Sequence, residues 1–570
     1  MSTSANQEKM SPVQRFWGLL KPDSKEISQL YIYAIFNGLV SLSLPLGIQA
    51  IINLIQGGQM STSWIVLIVF VIMGIAFSGL LQIMQLRITE NLQQKIFTRA
   101  SFEFAYRIPR FKLEALYNHY APELMNRFFD ALSVQKGLSK ILLDFSTASL
   151  QVLFGLVLLS LYHPFFIMFS VILLILVAAI FRFTGKRGLD TSLKESKYKY
   201  QIAHWLEELA RTNFTFKLAG HTNLPIKRTD EMLDDYLGAR ESHFHVLKQQ
   251  YILLVLFKVL VAAGLLILGG ILVMEQELNI GQFVAAELII LYVMSSVEKL
   301  ILNLVDLYDV LTALEKIGQV VDLELEHNEG PAVPKTDAHG MEVGIEQVYF
   351  KYPDMEQNIL DGMNLQIKAG EKITVTGSNG SGKSTLLSIL AGLYTPQSGA
   401  VIYDNLPVGN LNIESLRDDI GACLTEEKIF EGTLSDNISL GRERVTFEDI
   451  QWAANVMGLT PFIRKQAKGF ETLIDPEGQK LPRSIVQKIL LARAISNRPR
   501  LLLLEDAFEH ISVIEQKSMI DTLTSKEAPW TLIAVSVNTY LAQKCDRVAI
   551  MDSGVVKDCA PFDELNPNRI

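Results

Sequence analysis

Cysteine is scarce in this chain. Three occur in 570 residues, Cys423, Cys545 and Cys559, and their spacing matches no metal-ligand pattern. A disulfide scaffold is excluded, and free thiols in a reducing compartment are expected. Charge is also sparse: Asp, Glu, Lys and Arg make up 20 % of residues, against 49 % apolar. The net charge of −9 comes without a polybasic tail, so no nucleic-acid partner is expected. No cleavable signal peptide is visible, and the first apolar run is long enough to stay in a membrane.

What the chain has in quantity is apolar runs, unevenly spread. Its length exceeds one compact core, so at least two domains are expected. Residues 28–303 are dominated by apolar stretches, while 341–570 read as an ordinary soluble domain. A spanning helix needs roughly 20 apolar residues. Six segments qualify, near Leu30–Leu54, Trp64–Leu86, Ile141–Tyr162, Pro164–Phe183, Tyr251–Met274 and Ile280–Leu300. The connections after the first, third and fifth are short and carry no Lys or Arg: Gln56–Ser63, the turn at His163, and Glu275–Asn279. Those after the second and fourth are long and basic, with Arg87, Lys95, Arg99, Arg107, Arg110 and Lys112 in one. The other carries Lys186, Arg187, Lys194, Lys197 and Lys199.

Positive charge is retained on the cytoplasmic side. A multi-pass protein of the cytoplasmic (inner) membrane follows, in contact with lipid, with both termini and the soluble half cytoplasmic. Ahead of the first span, Arg15-Phe16-Trp17-Gly18-Leu19-Leu20-Lys21 suits an interfacial helix or a frayed amphipathic tail. Ionisable residues inside spans are costly and face a cavity or each other. Lys258 and Glu298 both fall toward the cytoplasmic side, where they pair or are each buried at a helix contact. Glu287 lies about 10 Å below the outer helix end at 1.5 Å per residue, where it lines a pathway or is buried at a helix contact.

The soluble half carries the chemistry. Val343–Phe350 alternates like a strand, and Glu371–Thr376 is a second apolar strand. It runs directly into Gly377-Ser378-Asn379-Gly380-Ser381-Gly382-Lys383-Ser384, and a helix continues over Thr385–Leu393. Strand, glycine loop and helix together define a phosphate-binding loop. The glycines let backbone N–H groups turn toward phosphate oxygens at a helix N-terminus. Lys383 would reach the β- and γ-phosphates of ATP, the Ser384 hydroxyl would hold Mg²⁺, and Thr385 follows in the same cradle.

Six spans followed by such a loop resemble an ABC exporter half-transporter, over nearly the whole chain. The resemblance implies a polytopic α-helical membrane domain joined to an α/β P-loop NTPase domain of ABC type. The expected plan is a leader over 1–26, a six-helix domain over 27–303, a connector over 304–340 and a cassette over 341–570. It also implies specific roles. Tyr352, in Val348-Tyr349-Phe350-Lys351-Tyr352, falls where the family stacks an aromatic on adenine. Leu501-Leu502-Leu503-Leu504-Glu505-Asp506 resembles the Walker B strand with its two acids reversed. Glu505 would then serve Mg²⁺ and Asp506 would stand for the catalytic base. Asp506 is one methylene shorter than the usual Glu, and misplacements near 1 Å cost up to ~10²-fold in rate.

Further landmarks depart from the family. The signature segment reads Leu481-Pro482-Arg483-Ser484-Ile485, the glutamine position of the Q-loop is Thr425, and the switch histidine position is Val537. The loop after Walker B is Glu509-His510-Ile511-Ser512, where His510 reads as a surface residue. In the family, two cassettes sandwich each ATP between the P-loop of one and the signature of the other. A homodimer, or a heterodimer with a second ABC half-transporter, is therefore implied. Coupling segments are expected near Phe111–Glu123 and Glu207–Gly220. The expected function is the ATP-binding subunit of an exporter with slow or partner-dependent hydrolysis. The alternative is a pseudo-cassette that binds ATP and gates or scaffolds a secretion complex. Leu44-Pro45-Leu46-Gly47-Ile48-Gln49 resembles the peptide and protein secretion branch, where a secretion adaptor would be a further partner.

Overall fold

A computed structural model describes residues 10–57, 62–326, 328–334 and 340–565. The start of the leader, most of the turn after the first span, two parts of the connector and the last five residues of the cassette thus lie outside the described residues. The chain forms two units interleaved in sequence. One holds the chain up to Pro109 together with His119–Leu323; the other holds Arg110–Asn118 together with Glu324 onward.

Among the described residues, six helical stretches are long and apolar enough to cross a membrane. The first is two helices, Ser24–Ser41 and Ser43–Gln56, broken at Leu42. Pro45 explains the break: it has no N–H to bond the Ser41 carbonyl, and its ring is tolerated only in a helix's first turn. The second helix, Thr62–Arg107, runs 46 residues, about 70 Å at 1.5 Å per residue, more than twice a ~30 Å hydrocarbon core. Pro164–Arg211 and Leu224–Met274 are longer still, with 48 and 51 residues. The basic connections after the second and fourth spans are thus largely continued helix, not loop. Apolar residues stop where the bilayer would end, but no Gly or Pro stands between Gly79 and Pro109 to stop the helix.

The third stretch, Ala121–Ser160, has a 3-10 turn at Asn126–Phe129 and a second irregularity further on. Between Asp130–Lys140 and Ser146–Ser160 the turn Ile141–Phe145 is π-helical. The sixth, Ile280–Leu302, opens on a capping box made by Asn279 and Gln282. A further helix, Leu304–Val321, fills the first half of the expected connector. The leader segment forms the helix Pro12–Leu20, capped by Ser11, with Phe16 buried and Trp17 exposed. One core gathers Phe166, Leu254, Ile289 and Ile301. Another joins Phe16 and Leu30 to Val134, Leu138 and Val310.

Lys258 Nζ lies 2.7 Å from Glu298 Oε2, both side chains about one-third exposed. Of the two arrangements open from sequence, the pair is formed; Glu287 has no ion-pair partner among the described residues. Lys258→Leu is expected to destabilise the membrane unit by about 2 kcal/mol, because a lone carboxylate remains at spanning depth. Adding Glu298→Leu should recover most of that loss. Melting of the three variants in lipid nanodiscs checks the cycle, and equal melting of single and double variants would remove the pair from the stability account.

The second unit is the α/β cassette. Strands β1 (Val343–Phe350), β2 (Leu360–Ile367) and β3 (Lys372–Gly377) are followed by β4 (Ser398–Tyr403), β5 (Leu406–Pro407) and β6 (Ile420–Cys423). A short ribbon pairs β7 (Gly432–Thr433) with β8 (Leu473–Ile474). The chain then forms β9 (Leu501–Glu505), β10 (Thr531–Val535), β11 (Arg547–Asp552) and β12 (Val555–Ala560). An antiparallel sheet has the order β2-β1-β4-β5, and a second sheet the order β12-β11-β3-β10-β9-β6. In the latter all pairings are parallel except the edge pair β11–β12. The central strands read as nearly continuous apolar runs, as buried parallel strands do.

Arg110–Asn118 is built into this unit. Phe111 bridges Leu325, Lys112 N donates to Glu324 O at 3.0 Å, and Glu326 N donates to Arg110 O at 2.8 Å. Arg110 pairs with Glu414 at 3.0 Å, and Thr395 N donates to Glu114 Oε1 at 3.0 Å.

Candidate functional site

The glycine loop hangs from the C-terminal end of β3, which lies between β11 and β10 in the sheet. Gly377 has φ +146 and Gly382 φ +97, left-handed values that side chains resist. Space forbids a side chain as well: a Cβ on Gly377 would stand 2.1 Å from Met551 O, and one on Gly382 2.9 Å from Ile359 O. The loop is therefore pinned from outside while the helix Lys383–Leu390 starts from it. Lys383 Nζ donates to Gly377 O at 2.9 Å and Ser378 O at 2.8 Å, with Ser381 Oγ at 3.4 Å. The ammonium is thus held across the mouth of the loop.

Tyr352 sits close by. Its hydroxyl is 3.0 Å from Thr385 Oγ1, and its ring meets Phe350 and Tyr394 edge-on at 5.1 and 5.3 Å. Tyr117 stacks on it at 5.7 Å and 16°. A cleft of about 400 Å³ beside it is lined by Glu114, Lys351, Tyr352, Asp354, Met355 and Gln397 among others. Burial pushes the neighbouring Tyr394 hydroxyl up to about 12.

The acids at the end of β9 are held in different ways. Glu505 Oε2 accepts from the Thr425 N–H at 3.0 Å, so the Q-loop position touches the Walker B strand through its backbone. Asp506 has φ +44 and its N–H donates to Val535 O at 3.0 Å. Asp is one of the few residues that tolerate this left-handed region. Burial raises the Asp506 carboxyl above the usual range. Glu509 and Glu505 raise it further, and Lys383 opposes them.

A raised carboxyl in the folded state binds its proton more tightly than the unfolded chain does. Stability from this group is therefore full below the ordinary carboxyl value and is lost as pH rises from there through the raised folded value. Asp506→Asn is expected to melt higher than the parent at pH 7, with the gap closing toward pH 3.5. A gap that stays constant with pH would mean the carboxyl carries no such shift.

Several of the departures from the family pattern share one cleft. Thr425, Arg483, Glu505, Asp506, Glu509 and His510 line one cleft of about 400 Å³. His510, which reads in the sequence as an isolated surface residue, is part of this wall. Pro482 caps the helix Arg483–Ser496 with no side-chain bond, and its carbonyl accepts from Ile485 N at 2.9 Å. Val537 is not part of the cleft: its side chain is 83 % exposed. The sequence places Glu509 in the altered loop without a role; three residues after Asp506, its charge acts on that carboxyl. Tyr117, which reaches Tyr352 from a remote segment, has no local signal.

Residues 360–509 match the family described as ABC transporter, and residues 30–297 match the ABC transporter transmembrane region. The chain belongs to the ABC transporter family. Among relatives, the transport/processing ATP-binding protein ComA of Streptococcus pneumoniae is 25 % identical over 439 residues, covering 76 % of this chain and 60 % of that protein. The alpha-hemolysin translocation ATP-binding protein HlyB of Escherichia coli O157:H7 is 27 % identical over 299 residues, covering 53 % and 42 %. This transporter chain thus spans about 60 % of the ComA length it matches. A bacterial Atm1-family ABC exporter solved with ATP bound shares the fold at TM-score 0.80 and 18 % identity, over 95 % of this chain and 96 % of that one. The six-helix membrane region and the ABC cassette expected from sequence are both present, and the cassette is of the ATP-binding type.

Proposed function

We propose that this ABC transporter chain is the ATP-binding half of an exporter in the cytoplasmic membrane, with cassette and termini on the cytoplasmic side. It acts as a homodimer or beside a second ABC half-transporter, and its own hydrolysis is slow. The observation that carries the reading is the contrast between an ordered cradle and an altered reaction wall. Gly377, Ser378, Asn379, Gly380, Ser381, Gly382, Lys383, Ser384 and Thr385 form the cradle, and Tyr352 is held beside it for the base. Asp506 is a short base, Arg483 lines the same cleft, and Val537 offers no donor.

Mg²⁺ fits the donor set. A hard cation takes oxygen ligands, and the Ser384 hydroxyl and Glu505 carboxylate supply them, with the helix carrying Ser384 packed against β9. When bound, the ion would neutralise charge on the phosphates. Lys383 would orient them and Asp506 would hold the proton of an attacking water. The relatives named for transport and toxin translocation support export, and a secretion adaptor would be a further partner.

The test uses the full chain in nanodiscs, alone and with any co-encoded half-transporter. Mg-ATP binding and phosphate release are measured, with Lys383→Ala as control. Tight binding with slow release, accelerated by the second half, is the expected result. Fast turnover by the homodimer would overturn the slow-hydrolysis reading. Binding with no turnover under any pairing would replace the pump by an ATP-gated scaffold.

A further inference from the structure

The ring proposed as the platform for the base already carries another ring. Tyr117 lies on Tyr352 with centroids 5.7 Å apart and planes 16° from parallel, an offset stack. Phe350 and Tyr394 meet the same ring at 84° and 90°, so Tyr117 is its one stacked partner among the described residues. The Tyr352 hydroxyl is engaged as well, 3.0 Å from Thr385 Oγ1 on the helix that follows the glycine loop. Ring and hydroxyl are both taken by the protein's own groups.

A base cannot share this face with Tyr117 where it stands. Stacked carbons approach to about 3.5 Å, so a base held between two rings needs two such gaps, about 7 Å in all. The separation of 5.7 Å is too small for that. Base and tyrosine therefore compete.

The competitor's segment is anchored, but its ring is not wedged. Phe111 is 4 % exposed and bridges Leu325, and Glu114 Oε1 accepts from Thr395 N at 3.0 Å. Tyr117 itself is 41 % exposed, and its hydroxyl has no hydrogen-bond partner among the described residues. The stack is what holds its ring on Tyr352. An aromatic pair is worth about 2- to 10-fold in an equilibrium constant. A base stacked on an aromatic side chain is worth about 5- to 100-fold. The base wins, and its affinity is reduced by the cost of moving the tyrosine.

We infer that Tyr117 is an autoinhibitory lid on the base end of the nucleotide site, which rests on Tyr352 being the platform proposed for the base. ATP binding swings the ring aside. The lid lies on the platform for the base, so it weakens nucleotide binding and leaves the binding of a bare polyphosphate unaltered.

The test is calorimetric titration of the full chain in nanodiscs with Mg-ATP and, separately, with Mg-tripolyphosphate, which has no base. Tyr117→Ala should bind ATP about 2- to 10-fold more tightly than the parent, and tripolyphosphate equally. Tyr117→Phe keeps the stack and should show no gain. In a Tyr352→Ala background, Tyr117→Ala should add nothing, because the platform is gone. Should Tyr117→Ala melt below the parent, Tyr117→Leu takes its place with the same expectation, since it keeps apolar bulk without a flat ring. Equal or weaker ATP binding by the variant overturns the lid. So does a gain shared by tripolyphosphate, which would mark a general loosening of the cassette. ATP binding by the parent without a gain in the variant sinks only the lid, whereas no ATP binding by any form sinks the nucleotide reading and the lid with it.

Discussion

Val537→His combined with Asp506→Glu is expected to raise ATP turnover by roughly 10²-fold or more. A single well-placed donor to developing phosphate charge is worth ~10²–10³-fold, and a base displaced by about 1 Å costs up to ~10²-fold. The two effects act on one transition state and will not simply multiply. The backbone is ready for the first change. Asn538 caps the next helix by accepting from Leu541 N at 3.2 Å, and its Nδ2 reaches Gln516 Oε1 at 3.1 Å. The loop is therefore held in place, and Val537 is so exposed that a larger ring displaces nothing. The second change has a cost, because φ +44 at position 506 suits Asp better than Glu, a strain of about 1 kcal/mol or slightly more. Phosphate release from nanodiscs, with Lys383→Ala in the same background as a blank, gives the answer. No gain in turnover, with ATP binding intact, would mean that other residues already fill these roles. His510 and Arg483 on the shared cleft would be the first to examine.

Lys383→Ala is expected to weaken ATP binding by ~10²–10³-fold. Each hydrogen bond from a charged group contributes about 1.5–3 kcal/mol, and this ammonium is placed to make two to the phosphates. In the structure it donates instead to the Gly377 and Ser378 carbonyls, so it is pre-positioned over the loop. The fold should survive the change, since the loop is pinned by Met551 and Ile359 rather than by the lysine. Calorimetric titration of ATP into parent and variant, with melting as a control, checks both halves of the statement. Equal affinity would remove the phosphate cradle from the functional account, and a collapsed melting curve would make the lysine structural.

How legible these features were depended on how local their cause is. The glycine loop could be read because strand, loop and helix are contiguous in sequence, and Gly377, Gly380 and Gly382 all take positive φ. The pairing of Lys258 with Glu298 was one of two readings of costly charges at similar depth. Helix lengths were misjudged, because hydropathy reports the bilayer while Thr62–Arg107 obeys only helix propensity and the first stop signal. The π-turn at Ile141–Phe145 has no signature in composition. Neither has the contact of Tyr117 with Tyr352, which depends on tertiary packing between distant segments. The gathering of Thr425, Arg483, Asp506 and His510 on one wall likewise required the sheet order, since each sits on a different element.

The short segment Arg110–Asn118 sets a limit on modularity. Its strand-like bridge at Phe111, its carboxylate at Glu114 and its ring at Tyr117 complete the cassette, although the chain delivers them two hundred residues before the cassette's own sequence begins. No single cut can release this cassette whole. A fragment starting after Leu323 would expose the edges of Leu325 and Tyr352 that this insert covers. Evolution by swapping cassettes between chains would have to carry the insert along with them.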